Sequence, residues 1–537
     1  MFLNAGKSQA IVFRIVIDDK GPESELHCDI LVIGGGVNGA GVARDAAGRG
    51  LRVVLCEKDD LAAHTSSSST KLIHGGLRYL EHFEFGLVRK ALLEREVLLK
   101  NAPHIMWPLR FVMPHDPSMR PAWMIRLGIF LYDHLARREV LQGSESIVFA
   151  RHEAGKPLKP EFKRGFVYSD GWVDDARLVV LNARDAADHG AQILTRTACV
   201  DARRQADGWV ARLCSADGSR RDVHARAVVN AAGPWAEQFL RETAHRSGTK
   251  SLRLIKGSHI VVPRLFDHSM AYIFQNPDKR IVFAIPYEER FTLIGTTDVE
   301  HEGPQGQARI SPEETSYLCT LINHYFRRSI TPADVLWSYS GVRPLLDDAS
   351  GDPSAVTRDY AVELDTQGPP LMSIWGGKIT TFRKLAEEAV DTLLPSLGEQ
   401  RPAWTEKAPL PGGDLSTEIG PPQRPDLDFE KFCQNRQRAY SWLPVPLMRR
   451  YARAYGSRLG QVLDGAKRPA DLGEPIAPGL YEAEVRYLHD HEWACTADDV
   501  LWRRSKLGLH LTHVVREDVE RWMTTTFSDQ NAGQPCN

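Results

Sequence analysis

The chain has 537 residues, which is roughly enough for three or four domains at about 150 residues each. Apolar residues make up 42% and charged residues 25% of the sequence, so the composition is that of a globular protein and excludes a disordered or collagen-like chain. The 67 lysines and arginines nearly balance the 69 aspartates and glutamates, which argues against nucleic acid as a partner.

A strand, a helix and a second strand are predicted close to the N-terminus. We expect residues 1–27 to form a flexible extension ahead of them. Residues 29–33 are apolar and β-branched, residues 38–48 are small and suit a helix, and residues 51–56 form a second apolar run. Together these segments predict a βαβ unit with parallel strands.

The turn of this unit carries a dinucleotide-binding fingerprint. Gly34 permits the tight turn, Gly36 allows the backbone to approach a pyrophosphate, and Gly39 lets the helix lie close to the sheet. The N-terminus of the helix favours the phosphate charge. Glu57 ends the second strand and can accept hydrogen bonds from a ribose diol, which fits FAD or NAD and disfavours NADP.

Three later segments favour FAD over NAD. The run TSSSST at residues 65–70 leads into KLIHGG, where hydroxyls and backbone N–H groups can hold the pyrophosphate and the flavin. VNAAGPW at residues 229–235 is a strand running into small residues. GGKITT at residues 376–381 precedes a helix from about Thr380 to Leu394, whose N-terminus can face the flavin pyrimidine edge. The expected cofactor contacts are Gly34, Gly36, Val37, Asn38, Gly39, Glu57, Ser67, Ser68, Ser69, Thr70, Leu72, His74, Gly75, Gly76, Val200, Ala232, Gly233, Trp235, Gly376, Gly377, Lys378, Ile379 and Thr380.

Apolar runs at residues 259–263, 281–286 and 291–294 indicate a second sheet. Proline is so frequent between residues 395 and 425 that a long helix or a central strand is excluded there. The predicted class is α/β with mixed α+β regions. Its parts are an FAD-binding domain at 28–115, 165–245 and 360–394, a substrate domain at 116–164 and 246–359, a linker at 395–425 and a helical C-terminal domain at 426–537.

Several further segments occur in a characteristic order. They include DILVIGGGVNGAG, SSSSTKLIHGGLRYLEH, SDGWVDDARL, LIKGSHIVVP, IGTTDVE, YSGVRPL and WGGKITTFRKLA. From about residue 28 to 525, the chain closely resembles the FAD-dependent glycerol-3-phosphate dehydrogenases of aerobic bacteria and mitochondria. The resemblance implies a Rossmann-like FAD-binding domain of the glutathione-reductase type, a D-amino-acid-oxidase-like substrate domain and a helical cap.

The resemblance also implies an activity and a location. The implied reaction is the oxidation of sn-glycerol 3-phosphate to dihydroxyacetone phosphate, with a hydride passing to flavin N5 and electrons passing on to ubiquinone. The implied location is the inner face of the cytoplasmic membrane, where a peripheral protein would contact the lipid surface. We expect a homodimer.

The substrate phosphate requires cationic partners, and arginine suits bidentate binding of phosphate better than lysine. Arg343 in GVRPL and Arg358 in VTRDY are the candidates, and both match substrate arginines of the family. Arg78 and Tyr79 in LRYLEH also resemble family substrate contacts. For any single arginine, a surface or salt-bridge role is the commoner alternative.

Oxidation of the alcohol also releases a proton, and histidine suits its removal near neutral pH. His259 in KGSHIVVP is the first candidate for the general base and for substrate contact, with a satisfied core histidine as the alternative. His74 is the rival, and Arg343 is a further catalytic candidate. Lys378 is a further catalytic candidate and is expected near flavin N1 or the substrate. No HExxH motif or carboxylate cluster appears, so no metal is predicted.

Residues 119–138 combine apolar bulk with flanking arginines. This pattern is typical of a basic amphipathic helix in a membrane interface, and equally of a buried helix that caps a substrate domain. Three other functions stay open. They are a soluble glycerol-3-phosphate oxidase that uses oxygen, an FAD amino-acid oxidase of the wider superfamily, and a flavin-binding protein without turnover.

Overall fold

The computed structural model describes residues 25–116, 120–248, 250–276, 278, 280–347 and 360–528. These residues form two large sheets and a helical C-terminal region. The expected extension at 1–27 lies mostly outside the described residues, and its last two positions belong to the first strand, Leu26–Ile33.

The first sheet contains the predicted βαβ unit. Its central strand Leu26–Ile33 pairs in parallel with Val53–Cys56 on one side and with Arg220–Asn230 on the other. Ile30, Leu31 and Val32 are fully buried, as expected for a parallel strand covered on both faces. The remaining strands are Gln192–Leu194, Thr197–Arg204, Trp209–Ser215, Tyr360–Asp365 and Leu371–Gly376.

Three helices cover one face of this sheet. The helix Val37–Gly48 packs between Asp175–Asp188 and Phe382–Leu393. Its alanines, Ala40 and Ala43 among them, are buried, because small side chains let the three helices approach one another. The last helix begins two residues later than predicted, so Thr380 and Thr381 belong to the loop before it.

The second sheet is larger than predicted. The strands Met106–Pro114 and Arg164–Val173 pair with each other and belong to this sheet. The predicted domain boundaries at residues 115 and 165 therefore do not coincide with the division between the two sheets. Antiparallel pairing joins the strands before and after residues 116–164 within the second sheet. The other strands are Leu72–Ile73, Glu145–Val148, Leu252–Pro263, Ala271–Gln275, Ile281–Tyr287, Phe291–Gly295, Val299–Glu300 and Trp337–Leu346.

Three helices accompany the second sheet, namely Phe85–Asn101, Ala122–His134 and Pro312–Tyr325. The helix Ala122–His134 has two different sides. Ile129 and Tyr132 are buried, whereas Trp123 and Leu127 are 66% and 50% exposed. The helix therefore covers the sheet with one side and presents an apolar surface with the other.

The segment 395–425 contains short turns and the helix Ser416–Ile419, in agreement with its proline content. It packs against the body of the protein, since the backbone N–H of Leu410 donates to the carbonyl oxygen of Asn101 at 2.9 Å. The C-terminal region surrounds one apolar core. Its elements are Pro425–Ala439, Val445–Tyr455, Leu459–Leu463, Glu482–Glu492, a π-helical turn Asp499–Arg504, His513–Ser528 and the short strands Pro475–Ala477 and Leu480–Tyr481.

The C-terminal region is joined to the part of the protein that contains the first sheet through buried ion pairs. Arg504 binds Asp60 with two hydrogen bonds of 2.6 and 2.8 Å. Arg177 binds Glu492 in the same bidentate manner. Because Asp60 follows the acidic end of the second strand, the C-terminal region supports the loop beside the nucleotide fingerprint.

Among the described residues, no helix combines the length and the apolar character needed to cross a membrane.

Candidate active site

A cavity of about 600 Å³ lies where the parallel strands of the first sheet end. Ligands of open α/β sheets bind at this edge. The predicted residues that line it are Gly34, Gly36, Val37, Asn38, Glu57, Ser68, Ser69, Thr70, Leu72, His74, Gly76, Tyr79, Ala232, Gly233, Trp235, Arg343, Gly376, Gly377, Lys378, Ile379 and Thr380.

The fingerprint glycines have the geometry that the sequence predicts. Gly34 has a φ of +109°, a conformation that L side chains rarely adopt. A Cβ at Gly39 would lie 1.9 Å from the carbonyl oxygen of Gly34, so only glycine allows the helix to lie this close to the strand. Gly36 has an ordinary φ of −80° and faces the cavity, where Ser66 Oγ is 3.1 Å from its ideal Cβ position.

The N-terminus of the first helix is suited to binding an anion, and it makes two contacts with neighbouring loops. The backbone N–H of Val37 donates to Ser66 Oγ at 3.0 Å. Asn38 Nδ2 donates to the carbonyl oxygen of Gly376 at 3.1 Å, which ties the fingerprint to the GGK loop. Ser66 lies within the predicted TSSSST run but is not among the expected cofactor contacts. Ser67 is among those contacts, but its hydroxyl donates to the carbonyl oxygen of His64 and it does not line the cavity.

Glu57 is oriented by the backbone. It accepts hydrogen bonds from the N–H groups of Gly35 at 2.7 Å and Asp59 at 2.9 Å. Burial raises the pKa of Glu57, and the two N–H donors oppose that effect. Nearby, the rings of His64 and Trp235 lie 4.6 Å apart at the cavity wall. This arrangement suits a ribose and the adenine that it carries.

The hydroxyl-rich loop TSSSST at residues 65–70 is held in place by a buried aspartate. Asp175 accepts hydrogen bonds from Ser69 Oγ at 2.7 Å and from Lys71 Nζ at 2.6 Å. Burial lowers the pKa of Lys71, and the Asp175 carboxylate opposes that effect. From the second sheet, the Tyr339 hydroxyl donates to the carbonyl oxygen of Ser69 at 2.8 Å. Asp175 lies in the segment SDGWVDDARL and is not among the predicted site residues.

Arg343 contributes a positive charge to the cavity. Its guanidinium forms an ion pair with Asp298 and donates to Thr296 Oγ1 at 2.9 Å. A Cβ at Gly257 would lie 2.3 Å from Arg343 Nη2, so this glycine makes room for the guanidinium. Asp298, which belongs to the segment IGTTDVE and is not among the predicted site residues, lines the cavity beside Arg343.

Lys378, Tyr79 and His74 line the same cavity. The Lys378 ammonium lies 3.9 Å from the centroid of the Tyr79 ring, a cation–π contact. The backbone N–H of His74 donates to Thr380 Oγ1 at 3.2 Å. The GGKITT loop and the KLIHGG loop therefore meet at one end of the site.

His259 does not reach the cavity surface, in contrast to its expected role as general base. Its Nε2 lies 3.0 Å from Thr70 Oγ1, and its ring stacks on Tyr339. Burial, together with the charges of Arg343 and Lys71, holds its pKa well below the ordinary value. A histidine in this environment resists protonation, and its Nε2 faces the cavity residue Thr70.

Other predicted residues occupy different positions. The Val200 side chain is 46% exposed and does not line the cavity; Thr197, Ala198 and Cys199 line it instead, because the strand is irregular between Cys199 and Asp201. Gly75 lies behind the wall, in contact with Tyr132. Arg358 and the side chain of Arg78 lie outside the described residues.

The cavity fits FAD. Gly36 leaves a pyrophosphate open access to the helix N-terminus, Glu57 is oriented for a ribose, and the wall continues through small residues to the GGK loop. The cavity thus combines a dinucleotide site with a cationic end that contains Arg343 and Lys378. This combination is that of a flavin-dependent oxidoreductase.

Comparisons with known proteins agree with this class. The protein-family model described as FAD dependent oxidoreductase matches residues 29–383. The family model described as the C-terminal domain of alpha-glycerophosphate oxidase matches residues 403–527. The chain therefore belongs to the FAD-dependent oxidoreductase family, in the branch that contains the bacterial glycerol-3-phosphate dehydrogenases. It is an enzyme with FAD as its cofactor.

The similarity extends over nearly the whole chain. A glycerol-3-phosphate dehydrogenase of Pseudomonas aeruginosa is 54% identical over 91% of this chain and 94% of its own length. A D-erythritol 1-phosphate dehydrogenase of Brucella abortus is 51% identical over 92% of this chain and 97% of its own. The structure of a Bacillus halodurans glycerol-3-phosphate dehydrogenase complexed with FAD is 29% identical, with a TM-score of 0.75 over 94% of this chain and 91% of that one.

Proposed function

We propose that this enzyme oxidises sn-glycerol 3-phosphate to dihydroxyacetone phosphate. The observation that carries the proposal is the presence of Arg343 and Lys378 in the cavity that fits FAD. A polyol phosphate offers both an oxidisable carbinol and a dianion for these cations. The relatives named for glycerol 3-phosphate support the same substrate.

The protein residues divide the work in the following way. FAD, when bound, supplies the acceptor for the hydride that leaves the carbinol carbon. His74 accepts the hydroxyl proton, since it lines the cavity and its backbone is fixed by Thr380. His259 positions Thr70 and keeps its own neutral ring. In this proposal His74, and not His259, is the general base.

The cations hold the substrate. Arg343 provides a planar fork whose orientation is set by Asp298 and Thr296, so its donors are directed before substrate arrives. Lys378 adds a second charge from the opposite loop, above the ring of Tyr79. Arg78 and Arg358 complete the cationic set in this proposal, by their match to the family motifs.

Electrons pass on to ubiquinone in a lipid bilayer that the enzyme contacts as a peripheral protein on the cytoplasmic side. The helix Ala122–His134 supplies the contact surface, with Trp123, Leu127 and Phe130 exposed on its outer side. Phe83, which is 79% exposed, follows a turn that packs on this helix. Arginines near the ends of the helix Ala122–His134 suit contact with anionic lipid head groups.

The proposal also includes a homodimer, which sedimentation of the holoenzyme tests.

A four-carbon polyol phosphate is the second candidate substrate. The 51% identity to the Brucella abortus enzyme, over almost the full length of both chains, is close to the identity shared with the glycerol-3-phosphate dehydrogenases. The two substrates present the same phosphate and carbinol, so the cationic end accepts both. They differ in the length of the carbon chain.

Steady-state turnover of purified holoenzyme tests the substrate and the acceptor. We expect kcat/KM to be highest for sn-glycerol 3-phosphate, lower for D-erythritol 1-phosphate, and undetectable for glycerol and amino acids. A ubiquinone analogue should support faster turnover than oxygen. A preference for the erythritol phosphate would change the substrate, and efficient turnover with oxygen would make the enzyme an oxidase.

A further inference from the structure

A buried tyrosine connects the outer helix of the second sheet to the active-site wall. Tyr132 lies on the inner side of the helix Ala122–His134 and is 2% exposed. Its hydroxyl oxygen accepts a hydrogen bond from the backbone N–H of Gly75 at 2.7 Å. Gly75 lies between His74 and Gly76, both of which line the cavity.

The direction of the Tyr132 hydroxyl is fixed by an ion pair. The hydroxyl donates to Asp170, whose two carboxylate oxygens lie 2.8 and 2.9 Å away. Asp170 in turn accepts from Arg95 Nη1 at 2.6 Å, and all three side chains are buried. Because the hydroxyl proton is committed to Asp170, the hydroxyl oxygen presents its lone pairs to the Gly75 N–H.

These contacts constrain the backbone at His74 from both sides. The His74 N–H is bound by Thr380 Oγ1, and the next N–H in the chain, that of Gly75, is bound by Tyr132. In a trans peptide the carbonyl points away from the following N–H. The His74 carbonyl is therefore directed away from Tyr132, and the plane of this peptide is set by a residue outside the cavity.

The contact between Tyr132 and Gly75 leaves no room for a side chain at position 75. A Cβ on Gly75 would lie 2.7 Å from the Tyr132 hydroxyl and 2.5 Å from Leu92 Cδ2. The second glycine of the pair, Gly76, has a φ of +77° and turns the chain toward Tyr79. The close approach of Tyr132 thus accounts for one of the two glycines in KLIHGG.

We propose that Tyr132 is a positioning residue for the oxidation reaction, which sets the orientation of the His74–Gly76 turn through its hydrogen bond to Gly75. This inference rests on the proposed role of His74. Tyr132 touches neither the substrate nor the cofactor. Its hydroxyl determines where His74 is held relative to the reacting hydroxyl, and a displaced proton acceptor lowers the rate of the chemical step more than the affinity for substrate.

The test uses Tyr132→Phe in the full-length holoenzyme, with Tyr325→Phe as the matched control. Tyr325 is also 2% exposed, and its hydroxyl donates to the carbonyl oxygen of Gln275, within the second sheet. Each protein is mixed anaerobically with sn-glycerol 3-phosphate, and the flavin reduction rate is followed against substrate concentration and pH. FAD content and the midpoint of thermal unfolding are measured in parallel.

We expect Tyr132→Phe to retain FAD, to lose about tenfold in the limiting reduction rate, and to show a shifted pH profile with a nearly unchanged apparent Kd. Tyr325→Phe should keep the wild-type rate and pH profile, even if its unfolding midpoint falls by a similar amount. A wild-type rate in Tyr132→Phe, or a rate reduced only in proportion to lost FAD, would overturn the inference.

Asp170→Asn provides a second route if Tyr132→Phe does not fold. It keeps the tyrosine but loses the carboxylate that orients its hydroxyl, so a smaller rate loss with normal FAD content is expected. An unchanged rate in a folded Asp170→Asn would count against the inference. If wild type is not reduced by sn-glycerol 3-phosphate, the proposed function fails first, and the same comparison is then made with D-erythritol 1-phosphate.

Discussion

The Oγ of Ser66 lies 3.0 Å from the backbone nitrogen of Val37 and accepts its hydrogen bond at the start of the first helix. The free N–H groups of a helix N-terminus attract anions, and this hydroxyl satisfies one of them. Ser66 also faces Gly36 across the cavity edge. The two loops that meet here thus bring a hydroxyl and a backbone donor to the place where the pyrophosphate of FAD fits.

Replacing Gly36 with valine should give folded protein with little FAD. The φ of Gly36 is ordinary, so valine adds no backbone strain, but its side chain enters the space beside Ser66. The FAD-to-protein ratio is measured by absorbance after purification. Gly460→Ala is the control, because its surroundings are open and its FAD content should be normal. Full flavination of Gly36→Val would show that the fingerprint is assigned wrongly.

Replacing Arg343 with alanine should weaken substrate binding without loss of FAD. A charge-assisted hydrogen bond contributes about 2 kcal/mol, so KM for sn-glycerol 3-phosphate should rise by about 30-fold. Asp298→Asn should cause a smaller rise, since it keeps Arg343 but removes the ion pair that directs the guanidinium. A normal KM in Arg343→Ala would remove this residue from the substrate site.

The two histidines should respond differently to substitution. His74→Ala removes the proposed proton acceptor, and flavin reduction at saturating substrate should slow by about 100-fold. His259→Gln should cost less than about tenfold, because His259 does not line the cavity and its Nε2 contacts Thr70, which does. Anaerobic stopped-flow spectroscopy measures both rates. A larger loss in His259→Gln than in His74→Ala would restore His259 as the base.

His104 should make the fold sensitive to mild acid. Complete burial, with Arg177 and Arg453 nearby, lowers the pKa of His104 to about 3. In the unfolded chain, this histidine binds a proton near pH 6.5. The free energy of unfolding therefore keeps its full value above that pH and decreases as the pH falls from 6.5 toward 3. The loss is roughly 1.4 kcal/mol per pH unit for one such histidine.

Urea unfolding at pH 7.5 and pH 5.5 tests this sensitivity. His104→Leu should reduce the difference in unfolding free energy between the two pH values by about 1 kcal/mol. Val485→Ala, at a buried residue that carries no titratable group, should lower the unfolding free energy at both pH values and leave the difference as in wild type. An unchanged difference in His104→Leu would mean that this histidine is protonated in the folded protein.

The outer side of the helix Ala122–His134 should control binding to lipid. The double substitution Trp123→Ser and Leu127→Ser removes exposed apolar area, and co-sedimentation with anionic vesicles should fall by about tenfold or more. Flavin reduction by substrate should stay at the wild-type rate. Leu427→Ser with Val514→Ser is the control, since both residues are exposed on the C-terminal region. Equal losses in both double variants would exclude this helix as the contact.

The parts of the site that rest on local chemistry are visible in the sequence. The spacing of Gly34 and Gly39 within a strand–turn–helix predicts their geometry, because both positions are set by neighbours in the same unit. The partner of Arg343 is not visible in this way, since Asp298 lies on a different segment of the second sheet. Burial also needs the tertiary fold, which is why His259 reads as a base in the sequence and lies behind Thr70 in the structure.

The measurement that tests the central claim most directly is anaerobic mixing of the holoenzyme with sn-glycerol 3-phosphate, followed by flavin absorbance at about 450 nm. We predict bleaching that a ubiquinone analogue reverses and that glycerol does not produce. A yellow protein that stays yellow in the presence of sn-glycerol 3-phosphate would contradict the proposed substrate while leaving the FAD site intact.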